Sequence, residues 1–436
     1  MKWFLAVLFL LLAALLLESG LLSYAMYVLL GLLLISRFMT TSWISGLEAV
    51  RVCDADEVEA GDSVNVTVTV ENNSMIPVLW VLLEDMVPAR TTLATRKNVR
   101  IKKKRMKMTR IPAHGEAEME YQIQFRRRGY YQIGPLVLET GDLFGLHRRY
   151  HVATEPHFVL VYPLVVPLED YDLASRRPVG EIRLTHRLYE DPTRISGVRE
   201  YQQGDPLNRV HWAATARTGL LHCKQYEPSA IAGASILLDF HESGYPSAKE
   251  PERSELGITI CASLAFALYE MGEQVGFFTN ARDAAQRIRT EGWAHDFRSR
   301  DAALKSVDTS NEEKDDRLEP IAVPTDRGME QFERIWATLA RAELTDGLTF
   351  AQLLMEITSR LPRNATVIAV LPTVSSETAL ALGSLRQRGF AVTAALIAIS
   401  EAEYEEAHIR LRAEGLEVLH VLDNATLSAL CRKAAR

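Results

Sequence analysis

The sequence has few cysteines and none of the short motifs that mark common catalytic folds. Four cysteines are scattered over 436 residues, without the CxxC spacing of a zinc site or a disulfide framework. No P-loop, no GxGxxG after a predicted strand and no GxSxG turn occurs, so the usual signatures of nucleotide-binding enzymes and α/β-hydrolases are absent. We therefore expect reduced, mostly buried thiols in a reducing compartment.

Long apolar runs occur only at the N-terminus. Two of them, Trp3 to Leu17 and Leu21 to Ile35, are separated by Glu18-Ser19-Gly20. They predict a transmembrane helical hairpin over residues 1–38 that contacts membrane lipids, although each is shorter than the roughly 20 residues a bilayer core needs. The other interpretation is a signal peptide with its apolar core at Trp3 to Leu17. No small-x-small cleavage site precedes the second run, which favours the hairpin.

The charges around the apolar runs predict the orientation. Lys2 and Arg37 flank the pair while Glu18 lies in its turn, so the positive-inside rule places both ends in the cytoplasm. We therefore expect a bacterial protein of the cytoplasmic (inner) membrane, with its soluble domains on the cytoplasmic side. A basic run from Arg96 to Arg110 has no interleaved aromatic residues, so no nucleic-acid partner is expected. An anionic leaflet suits the run better, and a solvated strand or loop is the other interpretation.

Residues 47–165 have strand periodicity. Val64, Val66, Val68 and Val70 alternate with polar residues, which predicts a strand with one apolar face. Turn residues punctuate several further short strands, and no helical period intervenes. The segment is predicted to form an all-β sandwich that is immunoglobulin-like.

Residues 180–436 alternate between strand and helix patterns, after a linker at 163–178. Such alternation predicts an α/β domain with a doubly wound, largely parallel sheet. A polar insertion is predicted at 281–328. The predicted strands are Ala234 to Leu238, Val275 to Thr279, Thr366 to Leu371, Ala391 to Ile397 and Glu417 to Val421.

The segment 199–239 carries the most specific pattern. Gly204-Asp205-Pro206 predicts a turn, residues 208–217 a short helix, and the apolar run after it a buried strand that ends in Asp239. In an open α/β sheet, ligands bind at the carboxyl ends of the strands. The residues of the pattern are Arg199, Tyr201, Gly204, Asp205, Arg209, Trp212, Ala216 and Arg217.

This pattern of Arg-x-Tyr-x-x-Gly-Asp, Arg-x-x-Trp, Ala-Arg-Thr-Gly and an Asp-ended strand resembles the family called domain of unknown function 58. Two upstream motifs, at 128–135 and 142–145, are similar as well. The resemblance implies that the α/β domain is von Willebrand factor A-like, and that the chain works with a MoxR-type AAA+ ATPase.

The resemblance also implies a place for a divalent cation, held by an Asp-x-Ser-x-Ser loop with a Thr and an Asp from two later loops. The loop here places Asp239, His241 and Ser243 at the three ligand positions, so the middle hydroxyl is missing. Pro372-Thr373 stands where the later carboxylate is expected. The remaining hydroxyl and a nearby acid are sought among Thr345, Thr349 and Asp346. We therefore predict a degenerate metal site and no cofactor.

Two functional hypotheses remain. The first is a non-enzymatic, membrane-anchored scaffold or adaptor that binds a partner protein through the degenerate domain. The alternative is a metal-dependent enzyme or metal-binding protein that uses Asp239, His241 and Ser243. The arginines of the motif are expected to hold the short helix onto the sheet through pairs with Asp205 or Glu200, with Trp212 packed beneath. Anion binding by these arginines is the other interpretation.

Overall fold

A computed structural model gives the fold. The structure describes residues 2–17, 20–87, 98–142, 147–168, 190–202, 210–228, 233–291, 316–362, 365–397, 400–424 and 426–427. The chain divides into two compact units. The first unit comprises residues 1–164, 282–316 and 337–342, and the second comprises residues 165–281, 317–336 and 343–436.

Two apolar helices begin the first unit, α1 (Lys2–Leu16) and α2 (Gly20–Ser45). By length and composition, α2 is the one helix among the described residues that could cross a membrane. The hydrophobic pattern predicted an end near Ile35, but the helix continues for ten more residues. The reason is tertiary packing, because Thr40 and Trp43 are fully buried against the following strands.

A β-sandwich follows, as predicted. One antiparallel sheet has the order β1-β3-β7-β5, a second has the order β10-β9-β4-β6, and a smaller sheet has the order β2-β11-β8. The strands are β1 (Leu47–Cys53), β2 (Glu57–Glu59), β3 (Ser63–Asn72), β4 (Val78–Asp85), β5 (Val99–Lys102), β6 (Met106–Ile111), β7 (Glu116–Phe125), β8 (Gly129–Ile133), β9 (Leu136–Gly141), β10 (Arg148–Thr154) and β11 (His157–Tyr162).

The core of the sandwich contains a buried ion pair. The four alternating valines of β3 are fully buried, as the period of two predicted. Asp85, at the end of β4, has a side chain that is 0% exposed and receives the guanidinium of Arg51 in a two-pronged contact, with Nε 2.9 Å from Oδ2. The Tyr121 hydroxyl donates to the same Oδ2 at 2.7 Å. Both oxygens of the carboxylate are therefore bonded inside the core.

The second unit contains a six-stranded sheet with the order β17-β15-β14-β19-β20-β21. All neighbours are parallel except the edge pair β15 and β17. The strands are nearly continuous apolar runs, which suits a sheet covered on both faces. They are β14 (Gly233–Leu238), β15 (Gln274–Thr279), β17 (Ile321–Asp326), β19 (Thr366–Leu371), β20 (Ala391–Ile397) and β21 (Glu417–Val421).

Helices and short elements complete the described chain. A hairpin of β12 (Glu190–Glu200) and β13 (His222–Pro228) encloses α3 (Trp212–Thr218). The other helices are α4 (Glu252–Glu270), α5 (Ala284–Glu291), α6 (Met329–Arg341), α7 (Phe350–Ile357), α8 (Ser376–Gln387) and α9 (Glu401–Ala413), and two short strands are β16 (Arg282–Asp283) and β18 (Ala342–Glu343).

The predicted α/β alternation is confirmed, with two differences. No strand is predicted between the short helix at 208–217 and Ala234, but β13 pairs there with β12. Strand β17 was missed, because it lies within the segment interpreted as a polar insertion. Its sequence, IAVPTD, contains a proline, which is tolerated because β17 is an edge strand.

Candidate functional site

The loop after β14 lies at the centre of the sheet's carboxyl edge. Strand β14 pairs with β15 on one side and β19 on the other, and the strand order reverses at this point. This is the position at which open α/β sheets bind their ligands. Asp239 follows β14 directly and is only 7% exposed. The expected placement of Asp239 at a ligand-binding edge is therefore what the structure has.

A neutral amide holds the carboxylate of Asp239. The Asn280 side chain donates Nδ2–H to Asp239 Oδ1 at 3.0 Å, and the His241 backbone N–H donates to the same oxygen at 3.2 Å. Asn280 Nδ2 also donates to the carbonyl of Leu348 at 2.8 Å, while its Oδ1 accepts from the backbone N–H of Phe240 at 2.7 Å. We call these four bonds the Asn280 clamp. It connects the loop after β14 to the loop before α7.

Burial shifts the pKa of Asp239. Desolvation raises the pKa of this carboxyl above its ordinary value, and the bonds from Asn280 and His241 oppose that shift only in part. Asn280 was not recognised from the sequence. The signal was available, since Asn280 directly follows β15 and so reaches the same edge of the sheet as Asp239.

His241 and Ser243 bond to each other. His241 Nδ1 lies 2.8 Å from Ser243 Oγ and accepts from the Ser243 backbone N–H at 3.2 Å, so the imidazole caps a short 3-10 turn at Glu242–Gly244. The backbone of His241 forms a bridge with Thr345. The side chains of His241 and Ser243, at the second and third predicted ligand positions, are thus hydrogen-bonded to each other.

The loop before α7 uses its hydroxyls for its own structure. Thr345 is buried and its hydroxyl accepts from the backbone N–H of Gly347 at 3.1 Å. Thr349 caps α7 in a reciprocal pair with Gln352. Asp346 is half exposed and forms an ion pair with Arg317 at 3.3 Å. Of the three sequence candidates, only Thr345 lies directly beside the Asp239 loop.

The loop after β19, which begins with Pro372-Thr373, contributes packing contacts to this edge rather than a carboxylate. A Cβ added at Gly244 would lie 2.6 Å from Pro372 Cγ, so the two loops are in close contact. The guanidinium of Arg253 is 2% exposed and donates to the carbonyls of Pro372 and Ile397, at the ends of two neighbouring strands. Burial lowers the pKa of Arg253. This buried arginine was also missed from the sequence.

These residues do not fit a resident magnesium ion. The Asp239 oxygen that is bonded receives two N–H donors, and the neighbouring imidazole and hydroxyl are bonded to each other. Across the described parts of the chain, no group of three or more His, Cys, Asp or Glu side chains could hold a metal ion. Hard cations need several free oxygen ligands. We therefore derive no chemistry through a metal at this edge.

The family motif lies partly on the β12–β13 hairpin. Arg199 donates to the carbonyl of Glu200 at 3.1 Å, and the Tyr201 backbone N–H bonds to Leu221 at 2.9 Å. Ala216 and Arg217 are exposed on α3. Trp212 is 69% exposed, so its predicted packing beneath the helix is wrong. The three remaining residues of the motif, Gly204, Asp205 and Arg209, lie outside the described residues.

Sequence comparison identifies this region. A family model described as "Protein of unknown function DUF58" matches residues 197–304. Residues 197–304 are thus similar to the DUF58 family. The resemblance seen in the motif is thereby confirmed. The uncharacterized protein YeaD of Bacillus subtilis is 22% identical over 266 residues, which cover 59% of this chain. The match spans 62% of YeaD, less than two thirds of that relative.

Structural comparison finds solved structures that match about a quarter of this chain. The CARDB domain of a Pyrococcus furiosus protein matches with a TM-score of 0.19 and 14% identity, over 26% of this chain and 86% of that domain. An ASH/PapD-like domain of human CEP192 matches with a TM-score of 0.18 and 16% identity, over 27% of this chain and 83% of that domain. At these scores the matches carry no argument. The assignment of a β-sandwich depends instead on the strand pairing described above.

Proposed function

We propose that the protein is a non-enzymatic, membrane-anchored scaffold or adaptor. In this proposal it binds a partner protein through a degenerate von Willebrand factor A-like domain and works with a MoxR-type AAA+ ATPase. The observation that carries the proposal is the Asn280 clamp. It fixes the loops at the ligand edge by neutral hydrogen bonds, and a rigid edge of this kind suits protein docking.

The sheet supports the domain assignment. Numbered along the chain, its six strands have the spatial order 3-2-1-4-5-6, with the third strand antiparallel. Three loops meet at the carboxyl edge, around Asp239, Thr345 and Pro372. These are the loops from which the resemblance draws its cation ligands. The proposal is that the arrangement has been kept while the ligands have been lost.

The N-terminus supports the anchor. Helix α2 is long and apolar enough to cross a membrane, and its apolar part from Gly20 to Ile35 is about 24 Å long, a mismatch with the roughly 30 Å hydrocarbon core that bilayer thinning or flanking residues accommodate. In the proposal α1 and α2 form a transmembrane hairpin in the cytoplasmic membrane. The soluble parts then lie on the cytoplasmic side, where an ATPase partner would have access to ATP.

The exposed part of the edge supplies the proposed docking residues. Glu242 and Ser243 are exposed, whereas Asp239 and Thr345 beside them are buried. A partner therefore meets the short turn at Glu242–Gly244 first. Reversing the charge at Glu242 changes that surface without removing any bond of the Asn280 clamp.

Co-purification tests the proposal. The full chain, tagged and solubilised in detergent, is mixed with the MoxR-type ATPase of the same cell, with and without ATP. We expect the ATPase to be retained, and Glu242→Arg to lower the retained amount several-fold. Glu356→Arg, an exposed position on α7, is the matched control and is expected to retain the wild-type amount.

Two results would contradict the proposal. The first is no retention of the ATPase by the wild-type chain in either nucleotide state. The second is stoichiometric metal in the purified protein that is lost in Asp239→Ala, since that result would favour the metal-dependent alternative through Asp239, His241 and Ser243.

A further inference from the structure

An exposed basic and aromatic patch begins strand β10. Arg148, Arg149, Tyr150 and His151 are all exposed, and Tyr150 keeps 44% of its surface open. Within the described residues, the acid that pairs with this patch is Glu139, whose carboxylate lies 3.4 Å from Arg148 and also bonds to the Tyr150 hydroxyl. The first residues of β10 are therefore positively charged overall, and they carry an aromatic ring with a polar end. We call residues 148–151 the β10 patch.

Hydrogen bonds from α2 fix the position of the β10 patch. Ser36 Oγ donates to Asp142 Oδ2 at 2.7 Å and lies 2.9 Å from His147 Nδ1. The backbone N–H of His147 donates to Asp142 Oδ1 at 2.9 Å, which closes the contact. Ser36 and Asp142 are 3% and 5% exposed. The residue just before Arg148 is thus bonded directly to the apolar helix.

Ser36 is also the residue at which α2 changes from an apolar segment to a segment that packs against the sandwich. From Gly20 to Ile35 the helix is apolar, and this part is about 24 Å long. A hydrocarbon core of about 30 Å is slightly longer than that. After Ile35, the helix buries Ser36, Thr40 and Trp43 against the sandwich. With α2 spanning the bilayer as proposed above, the bilayer surface would lie at the level of Ser36, and an apolar segment this short draws its flanking residues into the interface.

The chemistry of the patch fits a lipid headgroup. Arg37, exposed on α2 and next in the chain to Ser36, adds a third cation to Arg148 and Arg149. Arginine forms two-pronged hydrogen bonds with phosphate, and tyrosine is enriched where membrane meets water. Asp142, the buried acid at the end of β9, is bonded to Ser36 and His147.

The basic run noted in the sequence lies elsewhere in the sandwich. Its turn, Lys102 to Arg105, precedes β6, and β6 is the opposite edge strand of the sheet β10-β9-β4-β6. Met106 pairs with Glu84, next to the start of β9, whereas Arg148 pairs with Gly141 at the end of β9. The turn and the β10 patch are therefore at opposite corners of one sheet. The hydrogen bonds of Ser36 connect α2 to the start of β10.

We propose that the β10 patch, together with Arg37, binds the anionic phosphate headgroups of the bilayer that α2 crosses. The inference rests on the membrane anchoring in the proposed function. It assigns to β10 the lipid contact that the sequence alone suggested for the basic run.

Photocrosslinking in proteoliposomes tests it with the full chain. p-Benzoylphenylalanine replaces Leu34, Tyr150 or Lys104, one at a time, in vesicles of phosphatidylglycerol and phosphatidylcholine in which either lipid carries the label. We expect lipid labelling from positions 34 and 150 and none from position 104. At position 150, phosphatidylglycerol should be labelled several-fold more than phosphatidylcholine.

Charge variants then test the headgroup preference. Arg148→Glu with Arg149→Glu should abolish the preference for phosphatidylglycerol at position 150, whereas Lys102→Glu with Lys104→Glu, the matched control, should leave it unchanged. Labelling at 34 without labelling at 150, equal labelling of both lipids at 150, or loss of the preference in the control would each overturn the inference and leave anchoring intact. No labelling at position 34 would overturn the anchoring itself.

Discussion

The two units each bury an aspartate, and they stabilise it in opposite ways. In the sandwich, Asp85 is completely buried and meets a full positive charge from Arg51 together with the hydroxyl of Tyr121. In the α/β unit, Asp239 is 7% exposed and meets a neutral amide and a backbone N–H. The first carboxylate is matched by charge, whereas the second is held by dipoles alone.

This difference distinguishes a buried acid that belongs to the core from a buried acid at the edge where such sheets bind ligands. A paired charge tolerates burial only while its partner remains, so Arg51 and Asp85 are expected to act as one unit of the core. Burial raises the pKa of Asp239 above its ordinary value even though the bonds from Asn280 and His241 lower it, so the ionisation of this carboxyl changes with pH. Asp239 also lies at the carboxyl edge of its sheet, the position at which open α/β sheets bind their ligands.

The largest expected effect comes from removing the charge beside Asp85. Arg51→Met leaves a buried carboxylate without its cation and should lower the free energy of unfolding by about 3–5 kcal/mol. Denaturation of the detergent-solubilised chain, followed by hydrogen exchange in β4, measures it. Lys103→Met, which removes an exposed partner of Glu120, is the control and should cost less than about 1 kcal/mol. An equal effect in both variants would contradict the comparison.

The next effect concerns the clamp in the other unit. Asn280→Leu leaves the N–H of Phe240, the carbonyl of Leu348 and the carboxyl of Asp239 without a shared partner. Each unsatisfied buried group costs about 1–3 kcal/mol, so we expect a loss of about 3 kcal/mol, seen as faster hydrogen exchange in β14 and β15. Unchanged exchange in these two strands would mean that the clamp does not hold the edge.

A smaller effect, with a defined dependence on pH, is expected for Asp239→Asn. Because burial raises the pKa of Asp239 above its ordinary 3.8, the folded chain retains a proton that the unfolded chain has released. The free energy of unfolding therefore falls as pH rises from 3.8 through the higher pKa that Asp239 has in the folded chain. The asparagine variant cannot ionise, so it should be more stable than the wild type at neutral pH and lose that gain below pH 3.8. A gain that persists at the lower pH would contradict the assignment.

The smallest effect is expected at an exposed carboxylate. Hydrogen bonds from the backbone and hydroxyl of Ser400, and then the ammonium of Lys249, lower the pKa of Glu403 from 4.5 to about 2. Its stabilisation is present above pH 4.5 and is lost as pH falls towards 2. Since the side chain is 55% exposed, Glu403→Gln should cost less than about 1 kcal/mol at neutral pH. Glu401→Gln is the control, and a larger cost there would refute the capping role.

Strands with a regular pattern could be predicted from the sequence. The alternating valines of β3 and the apolar runs of β14, β19 and β20 specify strand and burial through local periodicity, and the structure places all four as expected. Helix α2 differed because residues after Ile35 are too polar for a membrane pattern. Their burial depends on the sandwich beneath them, which no local window contains.

The candidate site could be predicted only in part. Asp239 was identified because an acid that ends a buried strand is a local signal. Asn280 was missed because its role depends on lying opposite Asp239 across two strands, 41 positions apart in the chain. Trp212 was misjudged for the same reason, since helical spacing says nothing about whether another element covers the helix.

The sequence by itself determined the kind of each region, namely the apolar N-terminus, the alternating strands, the α/β order and the DUF58 motif. These features depend on hydrophobic periodicity and on residues that are close in the chain. Only the tertiary structure decided the partners: a guanidinium for Asp85, an amide for Asp239, and Ser36 for the turn before β10. Hydrogen bonds and ion pairs act over about 3 Å in space, and folding alone brings such distant residues within that distance.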